Sequence, residues 1–453
     1  MRPARFPRLS VALPLPGELT TVPLNKGAPP ECPPRNTLRS DATTALSSSS
    51  LETRYSWIAA SLSVLVLTMS YGGLWIIAVG QKQVAADTGG SRSVPSLASS
   101  LAWFGTGFGG LVMGRLADRF SIRTTVIFGS LSMAVGLLIS SQGEAWHLYV
   151  GHGLFMGLLG NAGINAPLYV YVSRWFDRHR GSALALISSG SYVAGTVWPM
   201  IFERVIAHIG WRDTMIWYAL LEILVIVPVA VIFLRPAPEV IAPAAAGSGP
   251  AETPRIFGWN PNLVFILLGL AGFCCCVTMS MPHAHLVALC TDLGISAARG
   301  AAMLSLLLGI GFLCRQLWGV ISDRIGALLT LLISGTAQAA TFSGFILTQD
   351  EAGLFAVSAA FGIAFSGLVP AYVLAVREYF PAREASWRVP TLLLMSGSGM
   401  ATGSWLAGVI YDHYAYYAPA FVVGVGFNLV NIALLSLLVL RWRITRLPRP
   451  LAA

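Results

Sequence analysis

Apolar residues run in long, nearly uninterrupted segments along most of this chain, and short polar stretches separate one segment from the next. The runs reach about 20 residues, the length that an α-helix needs to cross a hydrocarbon core of roughly 30 Å. Strands of a membrane barrel would instead alternate apolar and polar side chains over about 10 residues. The pattern therefore predicts an all-α protein with twelve transmembrane helices. We place them at residues 56–80, 95–117, 123–142, 146–171, 181–201, 214–234, 260–282, 300–320, 326–347, 352–376, 388–410 and 417–440.

The composition agrees with a chain that lies mostly in lipid. Of its 453 residues, 55% are hydrophobic and only 11% are charged, and the mean hydropathy is +0.68. A soluble protein of this length would need far more charge on its surface. We therefore expect a multi-pass integral membrane protein whose surroundings are the lipid bilayer.

The 29 lysines and arginines bring the net charge to +9, a value that could suggest nucleic-acid binding. Their distribution argues against that class, because nearly all of them lie in the two tails or on one side of the predicted helices. The opposite side holds only Lys82, Arg92, Arg204, Arg212 and Arg299. By the positive-inside rule both termini are then cytoplasmic, and we expect a bacterial inner (plasma) membrane.

Polar and flexible segments divide the chain into parts. Residues 1–54 are rich in Pro, Ser and Thr and lack periodicity, as expected of a disordered cytoplasmic tail. Residues 235–259 form a Pro/Ala/Gly-rich cytoplasmic linker. It joins an N-terminal six-helix bundle, 55–234, to a C-terminal six-helix bundle, 260–441, which precedes a cytoplasmic tail at 442–453.

Two motifs recur in both predicted bundles. The segments "GRLADRF", beginning at Gly114, and "GVISDRI", beginning at Gly319, both read G-x-x-x-D-R. The fifth and eleventh spans both open with an arginine, at Arg180 and Arg388, and both end in a glycine- and serine-rich stretch. The repeats predict two pseudo-symmetric bundles, the layout of secondary transporters that bind their substrate near the midplane between the halves.

The first of these motifs carries a family resemblance. "GRLADRFSIR" resembles the signature loop of the major facilitator superfamily, whose Asp and Arg join helix ends on the cytoplasmic face and help to control opening. Asp118, Arg119 and Arg123 match that loop, and Asp323 and Arg324 match its second copy. The resemblance extends over nearly the whole helical region and implies a gating role for these five residues.

A narrower resemblance begins at Arg315. "RQLWGVISDRIG" is similar to the eighth-helix motif of the oxalate/formate antiporter group, to which the monocarboxylate transporters are related. Segments 175–195 and 210–220 resemble the same group's entries to the fifth and sixth helices. The resemblance implies a small carboxylate substrate, moved with protons or exchanged for another anion. Two features of these relatives are missing: position 311, one turn before the arginine, is Gly rather than an acid, and helix eleven has no internal cation, only Arg388 at its end.

Arg315 lies near the middle of the predicted eighth helix, inside an apolar run. A guanidinium at a helix centre costs about 2.5–3.5 kcal/mol on insertion scales, and arginine cannot lose its proton to avoid that cost. It therefore needs either a substrate carboxylate, which its planar fork binds through two hydrogen bonds, or a fixed ion pair, for which we consider Glu222. A single central cation favours a monocarboxylate over a dicarboxylate.

Three ionisable side chains are candidates for proton coupling: Glu222, His283 and His285. Burial would favour the protonated form of Glu222, which could then carry a proton; alternatively, Glu222 faces a polar helix edge and has a fixed partner. One of the histidines could line an outer vestibule and titrate near neutral pH, or both could be interfacial only. We expect no metal site, no nucleotide-binding loop and no cofactor.

Polar and aromatic side chains at the predicted midplane are the remaining substrate-binding candidates, with helix packing as the alternative for each. They are Tyr71 and Trp75 on helix one, Asn161 and Asn165 on helix four, Tyr192 on helix five and Tyr372 on helix ten. The resemblance favours tyrosines of helices one, four and five near the substrate.

These observations predict a secondary active transporter of small organic monocarboxylates, coupled to protons or to a counter-anion and working by alternating access. An exporter of hydrophobic or drug-like compounds is the alternative. An enzyme would need clustered titratable residues, which are sparse in the predicted helices. A membrane sensor would be expected to carry a recognisable signalling domain.

Overall fold

A computed structural model describes residues 52–117, 121–176, 179–236 and 255–446 of the chain. Apart from one isolated β-bridge between Ile256 and Trp259, the regular structure of these residues is entirely helical. The first half, residues 52–236, contains α1 (Arg54–Asp87), α2 (Ser93–Ala117), α3 (Ile122–Ser140), α4 (Ala145–Tyr149), a π-helix (Val150–Asn161), α5 (Ala162–Arg174), α6 (Arg180–Ser188) and α7 (Gly190–Phe233). The second half, residues 255–446, contains α8 (Pro261–Asp292), α9 (Ala297–Ile325), α10 (Ala327–Leu347), α11 (Glu351–Phe365), α12 (Leu368–Tyr379), α13 (Ala382–Tyr414) and α14 (Ala418–Arg446).

The prediction of an all-α membrane protein is confirmed. Within the described ranges, nine helical segments are long and apolar enough to cross a membrane. The count of twelve spans and the pseudo-symmetry of the two halves stay predictions. The predicted N-terminal tail and most of the predicted linker and C-terminal tail fall outside the described residues, and α14 continues past the predicted bundle end at 441 to Arg446.

Several helices are interrupted along their length. Residues 145–174 form one continuous segment in which the π-helix stands between α4 and α5. Ser189 separates α6 from α7, and Ser366 and Gly367 separate α11 from α12. Inside α7, Gly210 has a φ of 80°, so the backbone turns there between two helical parts. Only glycine adopts that conformation without strain, which explains the residue at this turn.

Small residues let the helices approach closely at two glycines that end the paired motifs. A Cβ atom on Gly403 of α13 would lie 2.1 Å from the Val277 carbonyl oxygen of α8. On Gly195 of α7 it would lie 2.3 Å from Leu308 Cδ1 of α9 and 2.8 Å from Trp75 Cζ2 of α1. The contact at Gly195 joins the two halves, which also meet where α2 packs against α13.

Candidate functional site

Arg315 of α9 faces a tyrosine of the opposite half. Its guanidinium carbon lies 5.0 Å from the centre of the Tyr192 ring on α7, and its side chain is half-buried. No acidic side chain of the described residues forms an ion pair with Arg315, Glu222 included. A cation over an aromatic face gains about 0.5–2 kcal/mol, so the guanidinium keeps most of its hydrogen-bonding capacity for a ligand.

Gly311, one turn before Arg315, leaves room for two aromatic rings. A Cβ atom at this position would lie 3.2 Å from Phe365 Cζ and 3.3 Å from Tyr192 Cε1. An acidic side chain could not be added there without displacing one of these rings. Tyr192 thus occupies the space beside Arg315 that a local counter-ion would need.

A cluster of tyrosines from the first half surrounds the cation. Tyr169 of α5 lies within electrostatic range of Arg315, Tyr192 and Tyr71. The Nδ2 group of Asn165 donates a hydrogen bond of 2.6 Å to the Tyr71 hydroxyl. Tyr169 was not among the predicted residues, although it lies four positions after Asn165 on one helix, a spacing that places both on the same face.

Aromatic rings continue from this cluster along the interface between the halves. Phe365 of α11 stacks on Tyr192 with the ring centres 6.2 Å apart. His283 of α8 packs edge-on against Phe365 at 5.2 Å and against Trp75 of α1 at 6.2 Å. We call Tyr192, Phe365, His283 and Trp75 the ring wall.

The ring wall borders a small cavity of about 20 Å³. Both halves contribute to its lining, which includes Trp75, Ser99, Trp103, Ser280, His283 and Ser404. Trp103 also packs against Tyr71, with ring centres 6.0 Å apart. The cavity and the tyrosine cluster around Arg315 therefore share neighbouring side chains.

Tyr372 lies inside the second half, in a buried chain of polar side chains. Its hydroxyl donates to Asn431 Oδ1 at 2.7 Å. Asn431 Nδ2 donates to Asn428 Oδ1 at 3.3 Å, and Asn428 Nδ2 donates to Gln338 Oε1 at 2.9 Å. Because the Tyr372 hydroxyl already donates its proton to Asn431, we do not include Tyr372 in the site proposed below.

Two buried residues of the first half lack hydrogen-bond partners among the described residues for both polar atoms of the side chain. They are Asn161, at the end of the π-helix, and Glu222, on α7. Both side chains are fully buried. A buried polar group without a partner is uncommon in proteins and calls for a functional or structural explanation.

The two predicted histidines have different surroundings. His285 is hydrogen-bonded on both ring nitrogens: Nε2 lies 2.9 Å from the Ser404 carbonyl oxygen, and Nδ1 lies 2.9 Å from Gln81 Nε2 and 3.1 Å from the Tyr417 hydroxyl. A carbonyl only accepts, so Nε2 carries the proton and Nδ1 accepts. His283 makes no hydrogen bond to any described residue, and its Nε2 is buried.

At one end of the bundle, a charged network joins the two halves. Arg92, just before α2, forms a bidentate ion pair with Asp292 at the end of α8, with both nitrogen–oxygen distances at 2.6 Å. Its NH1 group also donates to the Tyr417 hydroxyl at 2.6 Å. Burial opposes the charge of Arg92, but the hydrogen bonds and charge interactions with Asp292 and Tyr417 together outweigh it and hold the pKa of Arg92 above its ordinary value.

Asp412, at the end of α13, completes this network by capping α2. Its carboxylate accepts hydrogen bonds from the backbone N–H groups of Arg92 at 2.7 Å and Ser93 at 2.9 Å, and from the Ser91 hydroxyl. A carboxylate at a helix N-terminus satisfies free N–H groups and complements the helix dipole. We call Arg92, Ser93, Asp292, Asp412 and Tyr417 the Arg92 network.

A wider opening lies between the halves toward the other end. This cleft, of about 370 Å³, is lined by α6 and the residue after it on one side and by α9 on the other. Its lining residues are Ser182, Ala185, Leu186, Ser189, Phe312 and Gln316. Phe312 and Gln316 lie within one helical turn of Arg315 on α9.

Three of the five predicted gating residues, Arg123, Asp323 and Arg324, are among the described residues. Asp323 and Arg324, near the end of α9, are exposed, and neither forms an ion pair with a described residue. Arg123 Nε donates a hydrogen bond of 2.6 Å to the Leu234 carbonyl at the end of α7. Asp118 and Arg119 fall outside the described residues.

Metal chemistry is not suggested by the side chains that the structure describes, since these contain no group of three His, Cys, Asp or Glu residues able to hold an ion. What the arrangement offers is one unpaired cation, neutral hydrogen-bonding groups and aromatic surface between two helical halves. Such a chamber can bind a small anion and release it.

The sequence of this chain is similar to those of known membrane transporters. The family model of the Major Facilitator Superfamily matches residues 61–386 and 268–452. The chain is 25% identical to the MFS-type transporter pynF of Aspergillus niger, over 70% of this chain and 74% of that protein. It is 26% identical to monocarboxylate transporter 13 of Bos taurus, over 72% and 75% of the two chains.

Two further comparisons add an efflux protein and a solved structure. The agnestins efflux protein AgnL12 of Paecilomyces divaricatus is 25% identical, over 57% of this chain and 58% of that protein. The crystal structure of a bacterial homologue of the human lysosomal transporter Spinster, inward-facing and occupied, superposes with a TM-score of 0.68 at 17% identity. It covers 88% of this chain and 100% of its own, so the fold is shared.

Proposed function

This chain belongs to the major facilitator superfamily, a class of membrane transporters rather than enzymes, and we propose that it moves small organic monocarboxylates by alternating access. The observation that carries this proposal is Arg315, a cation without an acidic partner among the described residues, which faces tyrosines of the opposite half. Its planar fork suits a carboxylate, and neighbouring tyrosine hydroxyls can donate to the same anion. A substrate held there would contact both halves at once.

The charge of the chamber supports a monocarboxylate. Arg388, near the start of α13, is buried and already bonded to Glu384 at 2.8 Å and to Asn262 at 2.9 Å. It is therefore unsuited to hold a second carboxylate. The similarity to monocarboxylate transporter 13 agrees with this substrate class.

Alternating access is supported by the difference between the two ends. The Arg92 network closes one end with charged and capping contacts across the halves, and we take the cleft between α6 and α9 to be the opening toward the other end. We propose that the open end is cytoplasmic, with both termini on that side, as the distribution of lysines and arginines indicates. The predicted gating residues Asp323 and Arg324 lie at the open end, free to form cross-half contacts when it closes. The assignment to a bacterial inner membrane stays a prediction.

Coupling to protons or to a counter-anion is the second part of the proposal. Among the three predicted residues, His285 belongs to the closed end, where its hydrogen bonds are complete. Glu222 is the better proton carrier, because a buried carboxyl without a partner is tolerated most easily in its neutral form. Exchange of one anion for another needs no such residue and is the alternative.

The direct test is uptake of labelled lactate or pyruvate into proteoliposomes, with and without a pH gradient. We expect uptake in the wild type and a loss of more than about 30-fold in Arg315→Lys and Arg315→Ala, since removing one partner of a buried charge pair costs about 2–5 kcal/mol. The exposed Arg204→Ala on α7 is the control. Undiminished uptake in both Arg315 variants would exclude the assigned role.

Export of larger metabolites is the second candidate function. The similarity to the agnestins efflux protein favours it, and the ring wall could receive an apolar compound. The two candidate functions predict different compounds inside the same proteoliposomes: a monocarboxylate in one case and a larger metabolite in the other. Uptake of an aromatic metabolite that is indifferent to Arg315→Ala would support the exporter.

A further inference from the structure

His283 stands out among the histidines of the second half because nothing in the described chain satisfies its ring. It is 8% exposed and packs against Phe365 and Trp75, but neither nitrogen has a hydrogen-bond partner there. His285, two residues later, bonds through both nitrogens. Burying an unsatisfied polar group costs about 1–3 kcal/mol, so an imidazole kept in this state suggests a partner that comes from outside the chain.

Ser404 of α13 is a second buried polar side chain without a hydrogen-bond partner among the described residues, and it lines the same cavity as His283. It is 2% exposed. The cavity has a volume of about 20 Å³. A volume of that size holds roughly one water-sized group, which excludes a second carboxylate.

The charge of the lining also argues against a second carboxylate in this cavity. The described residues that line it are aromatic, aliphatic, serine, methionine and histidine, and none carries a permanent charge. A neutral oxygen fits such a lining, whereas an anion would have to give up its hydration without a counter-charge.

Packed aromatic rings connect the cavity to the surroundings of Arg315. Phe365 contacts both His283 and Tyr192, whose ring lies under the Arg315 guanidinium. On the opposite half, Trp103 lines the cavity and packs against Tyr71 of the tyrosine cluster. A ligand that extends along the ring wall from Arg315 would reach His283.

The geometry points to a second polar subsite, formed by His283 and Ser404, that binds a hydroxyl or keto oxygen of the substrate at the end remote from its carboxylate. This inference rests on the proposed function, because it takes the carboxylate to lie on Arg315. It narrows the substrate class to monocarboxylates with an oxygen substituent several atoms along the chain.

The test is competition against labelled lactate counterflow in proteoliposomes. The competitors are straight-chain acids of three to six carbons and the same acids with a terminal hydroxyl. In the wild type, we expect at least one chain length at which the hydroxylated acid competes about tenfold better than its parent. The chain length with the largest preference reports the distance between the two subsites.

Two variants test whether His283 and Ser404 cause the preference for the hydroxylated acid. His283→Phe keeps the aromatic packing and removes both nitrogens, and Ser404→Ala removes only the hydroxyl. Each should reduce the preference to less than about threefold, and in Ser404→Ala competition by the unsubstituted acids should stay at the wild-type level. His208→Phe, at an exposed position on α7, is the control and should retain the wild-type preference.

The outcomes separate this inference from the proposed function. Competition by unsubstituted acids that depends on Arg315, with no hydroxyl preference at any chain length, overturns the subsite alone. A preference that survives in both variants also overturns it. Failure of every acid to compete removes the carboxylate site itself and the subsite with it.

Discussion

Arg92 and Asp292 belong to different halves of the protein and form a bidentate ion pair, with both nitrogen–oxygen contacts at 2.6 Å. The Arg92 side chain is only 6% exposed, so the pair is well shielded from solvent. Removing one member of a buried pair costs about 3–5 kcal/mol, because the other charge is left uncompensated. Under the proposed alternating-access mechanism, the pair stabilises the state described here over the alternative state.

Asp292→Asn should open the end that the Arg92 network closes. The variant leaves the guanidinium without its counter-ion, and the expected loss of about 3–5 kcal/mol is enough to shift most of a two-state population. A cysteine reporter at Ser99, which lines the cavity below the network, makes the change measurable. We expect Ser99→Cys to react with a membrane-impermeant maleimide much faster in the Asp292→Asn background.

Asp213→Asn is the matched control for this measurement. Asp213 is an exposed aspartate of α7, and among the described residues it forms no ion pair. Equal labelling of the reporter in the two backgrounds would show that the Arg92–Asp292 pair does not hold the end closed.

Tyr169→Phe should weaken substrate binding without unfolding the protein. The variant keeps the ring and removes one hydroxyl near Arg315; a single hydrogen bond contributes about 0.5–1.5 kcal/mol. We expect KM for lactate uptake to rise about three- to tenfold with an unchanged melting temperature. Tyr149→Phe, at a half-buried position on α4, is the control, and an equal rise in both variants would contradict a specific role for Tyr169.

The features that sequence reasoning predicted correctly are those that depend on neighbouring residues. Apolar runs of about 20 residues were sufficient to predict the membrane helices. That Arg315 and Tyr192 face each other was not predicted, because this contact depends on how the two halves pack together. The glycine at position 311 could be noted from sequence, but only the fold shows that Tyr192 and Phe365 fill the space beside it.

The features that it missed depend on distant pairs and on helix geometry. Arg92 and Asp292 are 200 residues apart in sequence, and each lies in a connection between two predicted spans. Asn161 and Asn165 were both candidates on the predicted fourth helix, but nothing in the sequence indicated the π-helix that ends at Asn161. Only Asn165 reaches Tyr71.

Gly403→Ala should destabilise the packing of α13 against α8. The added Cβ would lie 2.1 Å from the Val277 carbonyl oxygen, and backbone cannot move aside as a flexible side chain can. We expect a clearly lower melting temperature in detergent, equivalent to about 1–3 kcal/mol. Gly426→Ala on α14 is the matched control, since a Cβ there meets nothing within 4 Å, and alanine favours a helix over glycine. Similar melting temperatures in the two variants would refute this close approach.

Glu222→Gln should separate proton-driven uptake from exchange. Glutamine keeps the shape and a neutral charge, so it replaces a protonated carboxyl with little disturbance of the buried position, but it cannot release a proton. We expect lactate uptake driven by a pH gradient to fall at least tenfold, while lactate counterflow without a gradient stays within about twofold of the wild type. Glu203→Gln, a less buried position on the same helix, should leave both activities unchanged. Gradient-driven uptake that persists in Glu222→Gln would assign Glu222 a structural role and favour anion exchange, because then no buried carboxyl of α7 would be needed to move the proton.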